Sequence, residues 1–491
     1  MRIVLPATEG GNEEEWERAG CGACDERQRK VERLEDKIAR LERRVREVEA
    51  QLEQAQRAGK RQAAPFSKGA SKAMGRGTGR PAGEKYGVKA HRPVPDHVHR
   101  EIDVLLPATC PACGGAVHEE RTAEQYHEEL PEVQPVVTHF RVHVGRCGQC
   151  GRRIQGRHAE QTSDALGAAA AQLGPRTVAL ATHLNKTVGA SLGKTAAILR
   201  SVSGMSVTAS GVSQALARAG RRASPTYAAL VEAVRQSPVV APDETGWRVG
   251  GKLHWLWAFV GDQVTVYRIA AGRGFDEAAQ VLGEQFAGVL ERDGWAPYRR
   301  FTQATHQTCT AHLLRRCDEL LATARGGARH IPLAVQQLLW AGFALRVQRD
   351  ARQVTPTELT AAIQDLERRL TQLLDKHIQH PANRGLLKHL GHEQQALFTY
   401  LRRDDVQATN WRAEQAIRPA VVNRKVWGGN RTAAGAHTQQ VLASLLRTCQ
   451  QQARDPTPVL VDLLRSPVPM VAPLCLPSPA APPSAVAPQR A

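Results

Sequence analysis

The sequence predicts a mixed α/β core, and three observations predict it. The segment "PVVAPDE" runs apolar residues into Asp243. Two more strand-like segments follow, "LHWLWAFVG" and "QVTVYRIAA", and then a helical stretch, "GRGFDEAAQVLGEQF". Next, "AGVLERDG" runs apolar residues into a second carboxylate, Asp293. Three strands, a helix and a parallel-type strand describe a core of the ribonuclease-H kind. Its first and fourth strands lie side by side, which would make Asp243 and Asp293 neighbours. A single carboxylate at a strand end is usually just solvated; two in matching contexts ask for a shared role. Glu244 leaves the opposite face of the same strand and is the runner-up ligand.

The flanking segments extend this core. The chain has 491 residues, which allows two to four domains. Within 31–52, Val31, Leu34, Ile38, Leu41, Val45, Val48 and Leu52 recur at steps of three and four, an a/d heptad seam. So short and polar a helix is marginal alone, so the segment 1–59 predicts self-association or docking. Residues 60–100 hold ten Lys/Arg against two acids among Gly and Ala. That composition predicts a basic linker able to bind phosphates.

The segment 101–160 carries "CPACGG" (Cys110, Cys113) and "CGQCG" (Cys147, Cys150). Two such pairs joined by strand-like residues predict a zinc ribbon in which four thiolates hold one structural Zn²⁺. Cys21 and Cys24 form a third pair with no partner pair and read as free thiols. Residues 161–235 read as helices. Within them, "SLGKTAAILRSVSGMSVTASGVSQALARAG" gives helix, Gly-containing turn and a second helix starting near Thr208 or Ser210. This is the outline of a helix-turn-helix, or of an ordinary helical hairpin.

The core region, 236–440, would hold a helical insertion at about 313–405. Helices at 441–465 and a Pro/Ala-rich disordered tail at 466–491 would follow.

The charge balance narrows the function. A formal net charge of +18 favours a polyanion, most simply nucleic acid, with an anionic membrane surface as the rival. No run of about 18 apolar residues suggests a membrane span. The acidic start "MRIVLPATEGGNEEEWE" is not expected to be a signal peptide. The expected location is cytoplasmic, at the nucleoid in use. Two Mg²⁺ ions handling phosphate need about three carboxylates. The third should come from a helix over the sheet, and "NWRAEQAIRP" offers Glu414, with Asn410 and Arg418 one turn either side. On spacing alone, an exposed helix with an ion pair fits equally well.

At this point the motif order resembles the insertion-sequence 66 family of DDE transposases. The carrying blocks are "CPACGG…CGQCG", "DETGWRVGGKLHWLWAF", "VLERDGWAPYR", "HQTCTAHLLRR" and "NWRAEQAIRPAVVNRKVWGGNRTAAGA". The leading heptads and basic linker match too, and the resemblance covers about residues 25–465. It implies that Asp243, Asp293 and Glu414 form a catalytic triad binding two Mg²⁺. It implies cutting of element ends in double-stranded DNA and their joining to a target. Cys309 and His312 are expected on the strand-to-helix turn after Asp293, supporting the active-site wall; a zinc-binding pair is the lesser alternative. Arg418, Arg424 and Lys425 are the expected contacts to the DNA backbone. Homo-oligomers through the coiled coil and accessory transposition proteins are the expected partners. The alternative is a catalytically silent DNA-binding descendant acting as repressor or structural factor. A tyrosine-type recombinase would need an attacking Tyr in a C-terminal context, and none of the six Tyr offers one.

Overall fold

The computed structural model describes residues 92–166, 172–378, 380–474 and, except for positions 32, 36, 39, 43 and 46, residues 30–47. Cys21, Cys24, Val48, Leu52, most of the basic linker and the chain beyond 474 lie outside the described residues. The chain divides into two compact units, Met1–Tyr126 and His127–Ala491, so the division falls inside the expected zinc ribbon.

In the first unit every described residue between 30 and 47 is helical. The seam residues Val31, Leu34, Ile38, Leu41 and Val45 are all exposed. Around the first cysteine pair the backbone closes a tight knuckle. The Cys110 N–H donates to Gly115 O, and the Gly114 N–H donates to Cys110 O. Gly114 takes the left-handed conformation (φ +75°) that this turn requires.

The second unit opens with the same knuckle. Cys147 N–H donates to Arg152 O and Gly151 N–H to Cys147 O, with Gly151 at φ +68°. Two short antiparallel strands flank it, β1 (Val144–Arg146) and β2 (Arg153–Gln155). The hairpin expected between the knuckles is not formed. Residues 117–143 carry no ladder, and Val136 and Val137 are 95% and 88% exposed. Pro131 and Pro135 interrupt that alternating run, and proline removes ladder donors.

Four helices follow: α1 (Pro175–Lys186), α2 (Leu192–Ser203), α3 (Ala209–Arg222) and α4 (Ser224–Arg235). Gly204 ends α2 in the left-handed conformation, and the Thr208 hydroxyl caps α3 by accepting from Gly211 N–H. Lys186, at the end of α1, is buried, and its Nζ donates to Gln439 Oε1 at 2.7 Å. Burial pushes its ammonium down to about 7. It lines a cavity of about 210 Å³ with Tyr267, Ala420, Leu446 and Arg447.

The core is a five-stranded mixed sheet: β3 (Val239–Val249), β4 (Lys252–Val260), β5 (Thr265–Ala270), β6 (Val289–Arg292) and β7 (Thr305–Thr308), in the order β5-β4-β3-β6-β7. β3 pairs antiparallel with β4 and parallel with β6. The run from "PVVAPDE" continues through "TGWRV", so β3 is longer than the sequence suggests. Between β5 and β6 lies α5 (Phe275–Leu282), its start held by Gly274 N–H donating to Glu277.

The insertion consists of α6 (Thr310–Thr323), α7 (His330–Asp350), α8 (Pro356–Leu374), α9 (Pro381–Glu393) and α10 (Thr399–Arg402). Its leucines form a core of their own that reaches the sheet at Val239 and Val289. After it come α11 (Trp411–Trp427), α12 (Ala433–Gln451) and α13 (Pro456–Arg465). α12 is continuous across residue 440, so the expected core boundary there divides one helix.

α12 also covers the outer edge of the sheet. The N–H groups of Thr265, Tyr267 and Ile269 on β5 donate to Thr448 Oγ1, Ser444 Oγ and Gln440 Oε1. Two residues of strand rise nearly as far as four of helix, about 6–7 Å, so the two spacings match.

The tail departs from expectation. Residues 466–474 pack extended on the helices. Ala472 is buried, its N–H donates to Thr226 Oγ1, and the Met470 carbonyl accepts from the same hydroxyl. Ala472 and Leu474 join the core of α1–α4, which is the gain that holds this stretch in place.

Candidate active site

The parallel ladder sets the two aspartates together. Val239 pairs with Val289 and Val240 with Leu290. Asp243 and Asp293 each stand four residues beyond the first pair (243 − 239 = 293 − 289 = 4). Asp243 Oδ1 accepts from Glu244 N–H at 2.9 Å, and Asp293 Oδ1 accepts from Trp295 N–H at 2.9 Å. Burial, then the charge of Glu244, raises the Asp243 carboxyl to about 7; Asp293 and Glu414 push it the same way. The charges of Asp293 and Glu414 therefore both reach Asp243.

Glu244 faces another environment. Its Oε1 accepts from Arg273 Nε at 2.7 Å, and its Oε2 accepts from the Tyr298 hydroxyl at 2.6 Å. Arg273 is held between the rings of Trp255 and Trp295, at 4.7 and 4.2 Å. Burial raises the Glu244 pKa, and Tyr298 and Arg273 oppose it.

Glu414 lies in the first turn of α11, where a carboxylate favours the helix dipole. Its N–H donates to Asn410 O. Asn410 is the cap residue and not part of the helix, unlike the sequence reading that set it one turn from Glu414 on the same face. Its side chain turns inward instead, donating Nδ2–H to Pro242 O at 2.8 Å. Its N–H donates to Cys309 Sγ at 3.3 Å, and the Cys309 N–H donates to Arg292 O. One chain of bonds thus links the residue before Asp243, the residue before Asp293 and the start of the Glu414 helix. Asn410 Oδ1 is buried without a partner.

Two further ties fix α11 along β3. Arg424 Nη1 donates to Thr245 Oγ1 at 2.8 Å and to Gly246 O. Beyond the helix, Gly429 (φ +116°) comes so close to β3 that a Cβ would meet Arg248 O at 2.3 Å. Arg424 is therefore engaged with the sheet, whereas Arg418 and Lys425 are exposed on the outer face of α11.

Cys309 caps α6 directly after β7. His312 Nε2 lies 3.7 Å from Glu414 Oε1. The neighbouring Cys309, and to a lesser degree Glu414, raise the His312 pKa against its burial. Among the described residues, Cys309, His312 and Glu414 are the trio of potential metal ligands whose donor atoms come within 4.8 Å of one another; both aspartates stand outside it.

Sequence reasoning missed the support behind Asp293. Arg292 Nη1 donates to Asp293 O at 3.0 Å and pairs with Glu393 Oε2 at 2.5 Å, while Arg299 Nη1 pairs with Glu393 Oε1 at 3.0 Å. Glu393, at the end of α9, is fully buried. Nothing in "HLGHEQQ" signals this role, because its partners lie about a hundred residues away.

A family model described as Transposase IS66 family matches residues 170–438. The chain belongs to the IS66 family of transposases. The match spans α1–α4, the sheet, the insertion and α11. Among curated relatives, the uncharacterized protein y4qI of Sinorhizobium fredii is 26% identical over 261 residues, covering 46% of this chain and 47% of the relative. The uncharacterized protein y4jO of the same organism is 24% identical over 210 residues, covering 39% and 61%. The chain thus spans about half the length of the first relative and three fifths of the second. Among the described residues, no helix of this IS66-family chain is long and apolar enough to cross a membrane.

Proposed function

We propose that this IS66-family chain is a DDE transposase that cuts the ends of its element and joins them to target DNA. The carrying observation is the matched placement of Asp243 and Asp293 on adjacent parallel strands, with Glu414 close enough to raise the Asp243 pKa. The sheet order β5-β4-β3-β6-β7 supports a ribonuclease-H-like core.

Three carboxylates, one of them half-buried without a counter-charge, are a donor set that fits hard divalent cations. Asp243, Asp293 and Glu414 would hold two Mg²⁺. When bound, such a pair supplies an activated water or 3′-hydroxyl and stabilisation of the leaving oxygen at phosphorus. The chain's own residues do the rest. Arg292 and Arg299, braced on Glu393, fix the Asp293 turn. Asn410 sets the Glu414 helix against Asp243. Arg418 and Lys425 offer charge to the DNA backbone, whereas Arg424 serves the helix–sheet contact.

The four-cysteine Zn²⁺ reading rests on sequence spacing and on each knuckle's own geometry. In both, backbone N–H groups bond to the first cysteine's side chain and lower its thiol pKa. The exposed heptad seam supports self-association; a monomer by sedimentation at micromolar concentration would remove that part.

The deciding experiment uses purified protein and a labelled duplex carrying its element ends. Mg²⁺-dependent nicking and strand transfer in the parent, absent in Glu414→Gln, is the expected result. Equal activity in both would mean another third acid. Tight, salt-sensitive binding with no cutting in either would favour the catalytically silent DNA-binding reading.

A further inference from the structure

The trio beside the acids has the wrong chemistry for magnesium. Cys309 offers sulfur, His312 nitrogen and Glu414 oxygen, all within 4.8 Å of one another. Mg²⁺ takes oxygen ligands, whereas thiolate and imidazole suit Zn²⁺ and its relatives. Several features of the cluster match such a site. Cys309 Sγ is held in place by an N–H bond from Asn410 at 3.3 Å. His312 Nδ1 is buried with no hydrogen-bond partner. The His312 and Glu414 side chains are 39% and 43% exposed, so both can close in by the ångström or so that tetrahedral bond lengths of about 2.0–2.3 Å demand. The open side leaves a fourth position for water.

We propose that Cys309, His312 and Glu414 form a second cation site, selective for a thiophilic divalent ion such as Zn²⁺. Binding displaces the Cys309 thiol proton to solvent and forms the metal–sulfur bond. It draws the Glu414 carboxylate away from the aspartates, so the same ion inhibits magnesium-supported cutting. The cation site stands on its own geometry; the inhibition rests on Glu414 being the third catalytic acid.

The test uses the full chain and Co²⁺ as the probe, read by its sulfur-to-cobalt charge-transfer band. The CxxC pairs also bind Co²⁺, so the parent is compared with Cys309→Ser and, should that variant fold poorly, with His312→Ala. The expected result is one equivalent of band less in Cys309→Ser, and Co²⁺ binding at this site weakened about 10–100-fold in His312→Ala. Equal titrations in all three proteins would overturn the site. The second arm adds Zn²⁺ to the cutting reaction at saturating Mg²⁺. Inhibition at least about 10-fold weaker in the variants supports the capture of Glu414. Equal inhibition alongside an intact cobalt difference would keep the site and discard its effect on cutting. A cobalt difference with no cutting in the parent would leave the site standing and sink the catalytic reading instead.

Discussion

Asp243 and Glu244 are adjacent on β3, yet the fold treats them as opposites. Glu244 is neutralised from within, by Arg273 and the Tyr298 hydroxyl. Asp243 is half-buried beside other acids, and its carboxylate accepts from Glu244 N–H. Burying a carboxylate without a cation is costly; Arg273 and Tyr298 offset part of that cost at Glu244, and no cation offsets it at Asp243. An internally compensated acid is a structural part; an uncompensated one waits for something that binds.

The largest expected effect breaks the comparison on the Asp243 side. Asp243→Asn should lower cutting by at least about 10³-fold, the loss of about 4 kcal/mol of transition-state stabilisation. Its thermal midpoint should stay level or rise. Undiminished cutting in a single-turnover assay would remove Asp243 from the site. Lys186 extends the comparison to a buried cation. Its folded pKa of about 7 lies below the ordinary lysine value of 10.5, so the unfolded chain binds more protons between those values and stability rises with pH across that window. Lys186→Met should abolish that rise, which for three to four units is on the order of 4 kcal/mol at most. Denaturant midpoints of parent and variant at pH 7 and 10 test it; parallel pH profiles would contradict the assigned burial cost.

Asn410→Ala should slow cutting by up to about 10²-fold through misplacement of Glu414, with DNA binding retained. Cutting within twofold of the parent would show that the hydrogen-bond chain is dispensable. Glu244→Gln should cost roughly 1–3 kcal/mol of stability, since Arg273 is partly exposed, while cutting persists. If it abolishes cutting without destabilising, the two faces of β3 are not opposites. Ser444→Ala should cost about 1 kcal/mol, by leaving the Tyr267 N–H unmet; no shift in the urea midpoint would count against the edge contact.

Much of this was legible because local pattern carries it. Apolar runs ending in Asp243 and Asp293 mark strand ends, and Thr208 marks a helix start. The three acids lie in blocks whose order also matches the family. What stayed hidden depends on distant partners. Glu393 finds Arg292 across 101 positions, and Asn410 finds Pro242 across 168. Gln440, Ser444 and Thr448 look like ordinary polar helix positions until β5 is laid against them. The strand-like alternation around Val136 misled in the other direction, because two prolines stand in its way. The start of the Pro/Ala-rich tail was read from composition, which does not register that Ala472 has a pocket to fill.

The polar row on α12 also decides how this molecule can join another. A bare outer strand is a template on which a second chain can build by adding its own strand. Here β5 offers its alternate N–H groups to side chains already in place. At the other margin, Thr399 and Gln307 tie β7 to α10 through His306 O and Tyr400 N. Among the described residues, both margins of the five-stranded sheet are therefore occupied. Self-association through this sheet would have to use side-chain surfaces, and a partner so held could leave without tearing a β-ladder.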